Sequence, residues 1–217
     1  MYKKFETLSE EKRMRILNAA YGEFANKQFK EASTDEITKN EEISKGALFQ
    51  YFGAKKQLYF YMYDHGYEIL SNELYGQAEL NNPDLLERLK SIFSIKMNLY
   101  FKYPTLFSFL LFSYKMENDK EIKTMMDNDY AAKYTQAIGK VYTGIDYSKF
   151  RDDLNKSHII SIINWTIDGY SNAEVANFKP NDLTDEKYRT WLKEIDEYMD
   201  ILKKAFYKEE NQHGKCN

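Results

Sequence analysis

The chain has 217 residues, of which 43% are hydrophobic and 30% are charged, and its formal net charge is −3. This composition excludes a disordered chain and a polycation, and it allows one large or two small domains with a hydrophobic core. Only three prolines and nine glycines interrupt the chain, which favours long helices over a β-fold with many turns. We therefore expect a soluble, all-α protein.

Three short helices are predicted within residues 9–52. Ser9 is an N-cap, and apolar residues recur behind it at helical spacing. Ser33 with Glu36 three residues later forms a capping box that begins a second helix. Ser44 caps a third helix after a tight turn. Two short helices joined in this way are typical of a helix-turn-helix.

Six longer helices are predicted in the rest of the chain. The helix at 157–176 is apolar on nearly all sides, whereas the helix at 184–207 is amphipathic with a broad aromatic stripe. The approximate bounds of the six are 55–77, 83–101 with Pro83 in the first helical position, 104 onward, 120–142, 157–176 and 184–207. The predicted organisation is a helix-turn-helix domain over 1–54, a larger helical domain over 55–210 and a frayed tail over 211–217.

Charge differs between the two parts of the chain. Residues 1–58 carry eleven Lys and Arg against nine Asp and Glu, and the remainder is net negative. A basic head on an acidic body is compatible with DNA binding by the head. Ordinary scatter explains a difference of this size equally well.

The third helix of the head has a distinctive outer face. At about 100° per residue, Leu48 and Phe52 define the side that faces the core. Gly46, Ala47 and Gln50 then point away from it, so this face is small and uncharged, which suits entry into a DNA major groove. Gln50 can contact adenine through two hydrogen bonds, and this helix contains no arginine that could read guanine. We therefore predict a half-site rich in A·T pairs.

No cofactor, metal ion or disulfide is predicted. Cys216 is the single cysteine, and the histidines, His65, His158 and His213, lack metal-binding spacing. We find no nucleophile–base pair and no glycine-rich phosphate loop, so we expect no enzyme; an active site assembled from distant acids is the alternative. The N-terminus carries no secretory signal, and the most apolar stretch, 103–114, is about half of a bilayer span. These features predict a cytoplasmic protein that has no contact with a membrane.

One set of N-terminal residues follows the pattern of a known family. The set comprises Arg15 to Ala20, Phe24, Ile37, Ile43 to Phe52 and Lys55 to Leu58. It resembles the DNA-binding domain of the tetracycline-repressor (TetR) family, whereas the rest of the chain agrees with that family only in the number and length of its helices. The departures are Glu42 in place of a usual glycine, Thr38 in place of alanine and Phe49 in place of tyrosine.

The resemblance implies a one-component transcriptional repressor. Such a protein binds a palindromic operator in double-stranded DNA as a homodimer, and a small-molecule inducer releases it. The resemblance implies phosphate contacts from Ser33, Ser44, Lys45, Tyr51 and Lys55, and base-edge contacts from Gly46, Ala47, Phe49 and Gln50. A regulator of the same fold that acts without an inducer, through a protein partner or as an activator, is the alternative function.

The larger domain is expected to dimerise and to bind the inducer. The helices at about 157–176 and 184–207 are the predicted dimer interface; the alternative is that both helices only complete the monomer core. The resemblance also implies a pocket for a small hydrophobic or aromatic ligand. The candidate lining residues, each of which could instead serve core packing, are Tyr100, Tyr103, Phe107, Tyr114, Met125, Tyr134 and Trp165.

Overall fold

The structure is a computed structural model that describes residues 2–39, 43–116, 119–176 and 184–209. The predicted tail at 211–217, with Cys216 and His213, lies outside these ranges. Within them, the strand-like pairing is a single antiparallel bridge between Phe150 and Tyr207. The helices are α1 (Lys3–Glu6), α2 (Glu10–Phe24), α3 (Thr34–Lys39), α4 (Lys45–Phe52), α5 (Lys55–Gln77), α6 (Leu85–Lys102), α7 (Pro104–Met116), α8 (Lys120–Tyr142), a 3₁₀ helix (Tyr147–Lys149), α9 (Lys156–Ala176) and α10 (Asp185–Phe206).

The all-α prediction is confirmed, with two local differences. The four-residue α1 was not predicted, because a single turn has no periodicity to detect; its Phe5 is completely buried. The helix predicted to begin at Pro83 begins instead at Leu85. Asp84 is its cap, since Asp84 Oδ1 accepts the backbone N–H of Leu86 at 3.1 Å.

The chain packs as two compact units whose boundaries differ from the predicted division. The first unit comprises residues 1–76 and 98–136, and the second comprises 77–97 and 137–217. The predicted boundaries follow the order of the chain, whereas packing groups α7 and most of α8 with the N-terminal helices. The reason is a shared hydrophobic core: Leu58 of α5, Phe109 of α7 and Ile122 of α8 pack with the helix-turn-helix residues.

Aromatic rings hold the centre of the first unit together. The Tyr59 ring of α5 meets the Phe24 ring of α2 edge-on at 5.0 Å between centroids, and the Phe109 ring of α7 at 5.3 Å. The Tyr59 hydroxyl donates to Ser113 Oγ at 2.7 Å, which satisfies its buried polar end. The helix-turn-helix therefore rests on α5 and α7 as a rigid support.

A buried arginine organises the second unit. The Arg88 side chain of α6 is 1% exposed and donates hydrogen bonds to Val141 O at 2.7 Å and Thr143 O at 2.8 Å, as well as to Asn82 O. These carbonyls at the end of α8 supply partial negative charge, so the buried guanidinium is compensated. Arg88 thus joins α6 to the end of α8.

Two further observations concern membranes and metal ions. In the four described ranges, no helix has both the length and the apolar character needed to cross a bilayer. Over the same residues, no three His, Cys, Asp or Glu side chains gather as they would around a metal ion.

Candidate nucleic-acid interface

The bounds and the rotation of α4 are set by four local features. The helix begins where Ser44 Oγ accepts the backbone N–H of Ala47 at 3.1 Å. It ends at Gly53, whose φ of 81° is a left-handed conformation that favours glycine. Leu48 and Phe52 are buried and turn one side of α4 towards the core. The opposite side is consequently exposed, as the sequence predicts.

The exposed side of α4 consists of residues predicted to contact DNA. Ser44, Lys45, Gly46 and Gln50 are exposed, whereas Ala47, Phe49 and Tyr51 are partly buried. Small residues here allow close approach to base edges, and the flanking hydroxyl and ammonium groups suit phosphates. We call this surface, residues 44–47 and 49–51, the outer face of α4.

Ser33 takes part in folding as well as in the predicted interface. Its Oγ caps α3 by accepting the backbone N–H of Asp35 at 3.2 Å and of Glu36 at 3.4 Å, and its own backbone N–H donates to Glu23 Oε1 at 2.7 Å. The hydroxyl proton can still be donated, so capping and a phosphate contact are compatible. Glu42, the departure in the turn after α3, lies outside the described residues.

Both lysines predicted to contact phosphates have partners within the chain. Lys45 Nζ lies 2.9 Å from Asp35 Oδ2. Lys55 Nζ donates to Ala32 O at 2.9 Å and lies 4.6 Å from the centroid of the Phe29 ring. The sequence analysis missed these partners because they are 10 and 23 positions away along the chain. Lys55 thus holds the loop before α3 in place.

The sequence analysis also missed the support that α1 gives to α4. The Phe5 ring lies 4.6 Å from the Phe52 ring and 5.9 Å from the Tyr51 ring, measured between centroids. Arg13 of α2 donates to Glu6 O at 2.9 Å, which ties the end of α1 to α2. The only signal in the sequence was Phe5 itself, an aromatic residue close to the N-terminus. The end of α4 is therefore held from behind.

Comparison with known proteins agrees with this geometry. Residues 16–62 match the model of a family described as bacterial regulatory proteins, tetR family. This segment contains the later part of α2, all of α3 and α4 and the beginning of α5, and many solved structures of TetR-family regulators share the whole fold. The N-terminal part of the chain therefore matches the TetR family, and the chain as a whole shares the fold of the solved regulators. Its resemblance to that family, predicted from the sequence, is confirmed.

The similar solved structures cover nearly the whole of this chain. A TetR-family transcriptional regulator from Chloroflexus aurantiacus has a TM-score of 0.64 and 23% identity, covering 95% of this chain and 98% of its own. The ketosteroid transcriptional regulator KstR2 of Mycobacterium tuberculosis has a TM-score of 0.62 and 15% identity, covering 94% and 98%. NalD, the secondary repressor of the MexAB-OprM multidrug efflux pump in Pseudomonas aeruginosa, has a TM-score of 0.61 and 16% identity, covering 93% and 98%. A comparison with curated proteins gave no match.

The residues predicted to line an inducer pocket are only partly brought together. Tyr100 and Phe107 are buried, with ring centroids 3.9 Å apart, and burial raises the pKa of Tyr100. The Tyr103 hydroxyl donates to Glu73 Oε1 of α5 at 2.7 Å. All three belong to the first unit. The side chains of Tyr114, Met125 and Tyr134 lie outside the described residues.

Trp165 requires a correction, because it belongs to the second unit and is 71% exposed. Ile159 and Ile163 turn the opposite side of α9 into the core, and Trp165, two positions further on, points outward. A side chain this exposed does not line an enclosed pocket.

Among the side chains that the structure describes on α9 and α10, four large apolar ones are exposed, and Trp165 is one of them. The four residues, which we call the apolar patch, are Ile162, Trp165, Tyr198 and Ile201. The two helices pack together beside it, since the Tyr170 hydroxyl of α9 donates to Glu194 Oε2 of α10 at 2.7 Å. The patch lies on the two helices that are predicted to form the dimer interface.

Proposed function

We propose that this protein is a one-component transcriptional repressor that binds a palindromic operator in double-stranded DNA as a homodimer and is released by a small hydrophobic or aromatic ligand. The observation that carries the proposal is the outer face of α4, which is exposed, uncharged at its centre and flanked by polar groups. The TetR-family fold supports it, because solved structures of transcriptional regulators share that fold.

The proposed DNA contacts are divided by chemistry. Contacts to phosphates position the protein, and contacts to base edges read the sequence. Gln50 has the main reading role, because its amide can both donate to and accept from one adenine. The phosphate-binding residues are Ser33, Ser44, Lys45, Tyr51 and Lys55, and the base-edge residues are Gly46, Ala47, Phe49 and Gln50.

A homodimer is proposed because one head alone reads few base pairs. Two heads held about one helical turn apart, roughly 34–36 Å, read both halves of a palindrome. The apolar patch supports this assembly, since four large apolar side chains on α9 and α10 face water in the single chain. Full burial of a large apolar side chain contributes on the order of 1.5–3 kcal/mol, and covering the part of each that is still exposed contributes a fraction of that.

An inducer is proposed to act through α5. This helix begins directly after the α4–α5 turn, and Glu73 near its other end accepts the Tyr103 hydroxyl. Tyr100 and Phe107 offer the aromatic surface that a flat or apolar ligand would contact. A ligand that bound there and favoured the conformation with low DNA affinity would weaken operator binding by its difference in affinity for the two states.

Selection of bound duplexes from a random pool tests the DNA-binding function. The full-length protein should enrich a palindrome with two half-sites rich in A·T pairs, and the promoter next to its own gene should be tested for the same sequence. The variant Lys45→Gln/Gln50→Ala, with folding verified by circular dichroism, is the control and should enrich little. Failure of the full-length protein to enrich any sequence would contradict the proposal.

A thermal-shift screen tests the inducer. A lipophilic compound that raises the melting temperature of the full-length protein should also release it from the selected duplex. If compounds bind the protein but none of them releases it from the duplex, the proposed release by such ligands is wrong.

A further inference from the structure

Lys45, on the outer face of α4, forms an ion pair with Asp35 of α3. Lys45 Nζ lies 2.9 Å from Asp35 Oδ2, and the two side chains are 50% and 66% exposed. Lys45 is the first residue of α4, and Asp35 lies in the first turn of α3. The Lys45 ammonium group therefore binds a carboxylate of the protein, although it is also proposed to bind a DNA phosphate.

Asp35 is held in this place by the cap of α3. Its backbone N–H donates to Ser33 Oγ at 3.2 Å, and Ser33 is in turn tied to Glu23 of α2. Its carboxylate takes no part in that cap, since the Ser33 hydroxyl bonds only the backbone N–H groups of Asp35 and Glu36. The charge of Asp35 can consequently be removed without removing the cap.

We propose that Asp35 competes with DNA phosphates for the ammonium group of Lys45 and so lowers the affinity of the protein for DNA of any sequence. The inference rests on the proposed DNA-binding function. A lysine that reaches a phosphate releases one bound cation from the DNA, so binding weakens with added salt with a slope of about 0.9 per contact. At about 0.1 M salt one such contact is worth about eightfold in affinity.

Asp35 also has an opposing effect, because it orders the Lys45 side chain before DNA arrives. An ion pair between two exposed side chains contributes a factor of about five at most, and often nothing. The phosphate contact outweighs this ordering, so removal of the Asp35 charge should strengthen binding. In the native protein, Asp35 shortens the time spent on the many genomic sites that lack an operator.

Four variants of the full-length protein test the inference by fluorescence anisotropy. The probe is a random-sequence duplex of about 30 base pairs, titrated between about 50 and 200 mM KCl. The variants are Asp35→Asn, Lys45→Gln, the double variant and Glu11→Gln. Glu11 is an exposed carboxylate of α2, so Glu11→Gln is a control for the change in net charge. Melting curves verify that each variant is folded.

Asp35→Asn should bind about two- to fivefold tighter at about 0.1 M KCl, with a salt slope steeper by up to about 0.9. Glu11→Gln should stay within about twofold of the native protein, and Asp35→Asn should bring little gain when Lys45 is already glutamine. Unchanged or weaker binding of Asp35→Asn, or its full gain in the double variant, would overturn the competition while DNA binding stands. Absence of binding by every form, the native protein included, would overturn the proposed function as well.

Discussion

Gln50 differs from the other residues of α4 in both exposure and chemistry. It is exposed, and its side chain carries a donor and an acceptor in one plane. Lys45 and Lys55, by contrast, already bind Asp35 and the carbonyl of Ala32. Gln50 is therefore suited to reading the DNA sequence, whereas Lys45 and Lys55 are suited to adjusting the affinity for DNA of any sequence.

We predict that Gln50→Ala lowers the affinity for the selected operator by about 1–3 kcal/mol and relaxes the choice of base at one position of each half-site. Affinity for a random duplex should stay unchanged, because Gln50 makes no phosphate contact in the proposal. Anisotropy titrations with single-base variants of the operator measure both. An equal loss for all sequences would contradict the reading role.

The carboxylate of Asp84 is hydrogen-bonded within the second unit, and these bonds affect its ionisation. Burial raises its pKa, but hydrogen bonds from Lys149 Nζ at 2.8 Å and the Tyr207 hydroxyl at 2.8 Å outweigh it, so the pKa lies below its usual value. Asp84 therefore stabilises the fold above the ordinary Asp pKa of about 3.9, and this contribution is lost as the pH falls through its lowered pKa.

We predict that Asp84→Asn lowers the free energy of unfolding at pH 7 and that the difference from the native protein shrinks as the pH falls below about 3.9. Urea unfolding at a series of pH values measures the difference. Asp200→Asn, which changes an exposed carboxylate of α10, is the control and should have little effect. A difference for Asp84→Asn that does not depend on pH would show that its charge is unimportant.

In the first unit, the helices α2, α5 and α7 pack closely against one another around Gly66. A Cβ added to Gly66 of α5 would overlap Leu106 Cδ1 of α7 and lie 3.3 Å from the Tyr21 hydroxyl of α2. That hydroxyl lies 2.9 Å from Met62 O and 3.1 Å from His65 Nδ1, both on α5. Glycine at this position thus permits the close approach of the three helices.

We predict that Gly66→Ala lowers the free energy of unfolding by about 1–3 kcal/mol, because Leu106 must move out of a packed core. Gly76→Ala, in the same helix with no neighbour near the added methyl group, should be neutral or stabilising. Chemical denaturation of both variants gives the comparison. Equal stability of the two variants would show that Leu106 of α7 moves aside without loss of stability.

At the scale of the whole molecule, the single chain leaves the apolar patch facing water. Trp165 and Ile201 are 71% and 61% exposed, an arrangement that favours burial against a second copy. The proposed interface is the same surface on both copies, as two-fold symmetry requires.

We predict that Trp165→Asp/Ile201→Asp converts the dimer into a monomer, measured by sedimentation at micromolar concentration. Two buried, unpaired charges in each copy would oppose association. Lys203→Asp places a similar charge on the other side of α10, about 200° around the helix from Ile201, and should leave the dimer intact. A native protein that sediments as a monomer would refute the proposed assembly.

The sequence by itself determined the order of the main helices, the outer face of α4 and the family resemblance. Caps such as Ser9 and Ser44, and apolar spacing such as Leu48 with Phe52, act over a few residues, so they can be detected without a structure. Only the tertiary structure decided the partners of Lys45, the carbonyls around Arg88, and the outward direction of Trp165. Those features depend on contacts between distant parts of the chain, and on which side of each helix the core covers, neither of which local spacing encodes.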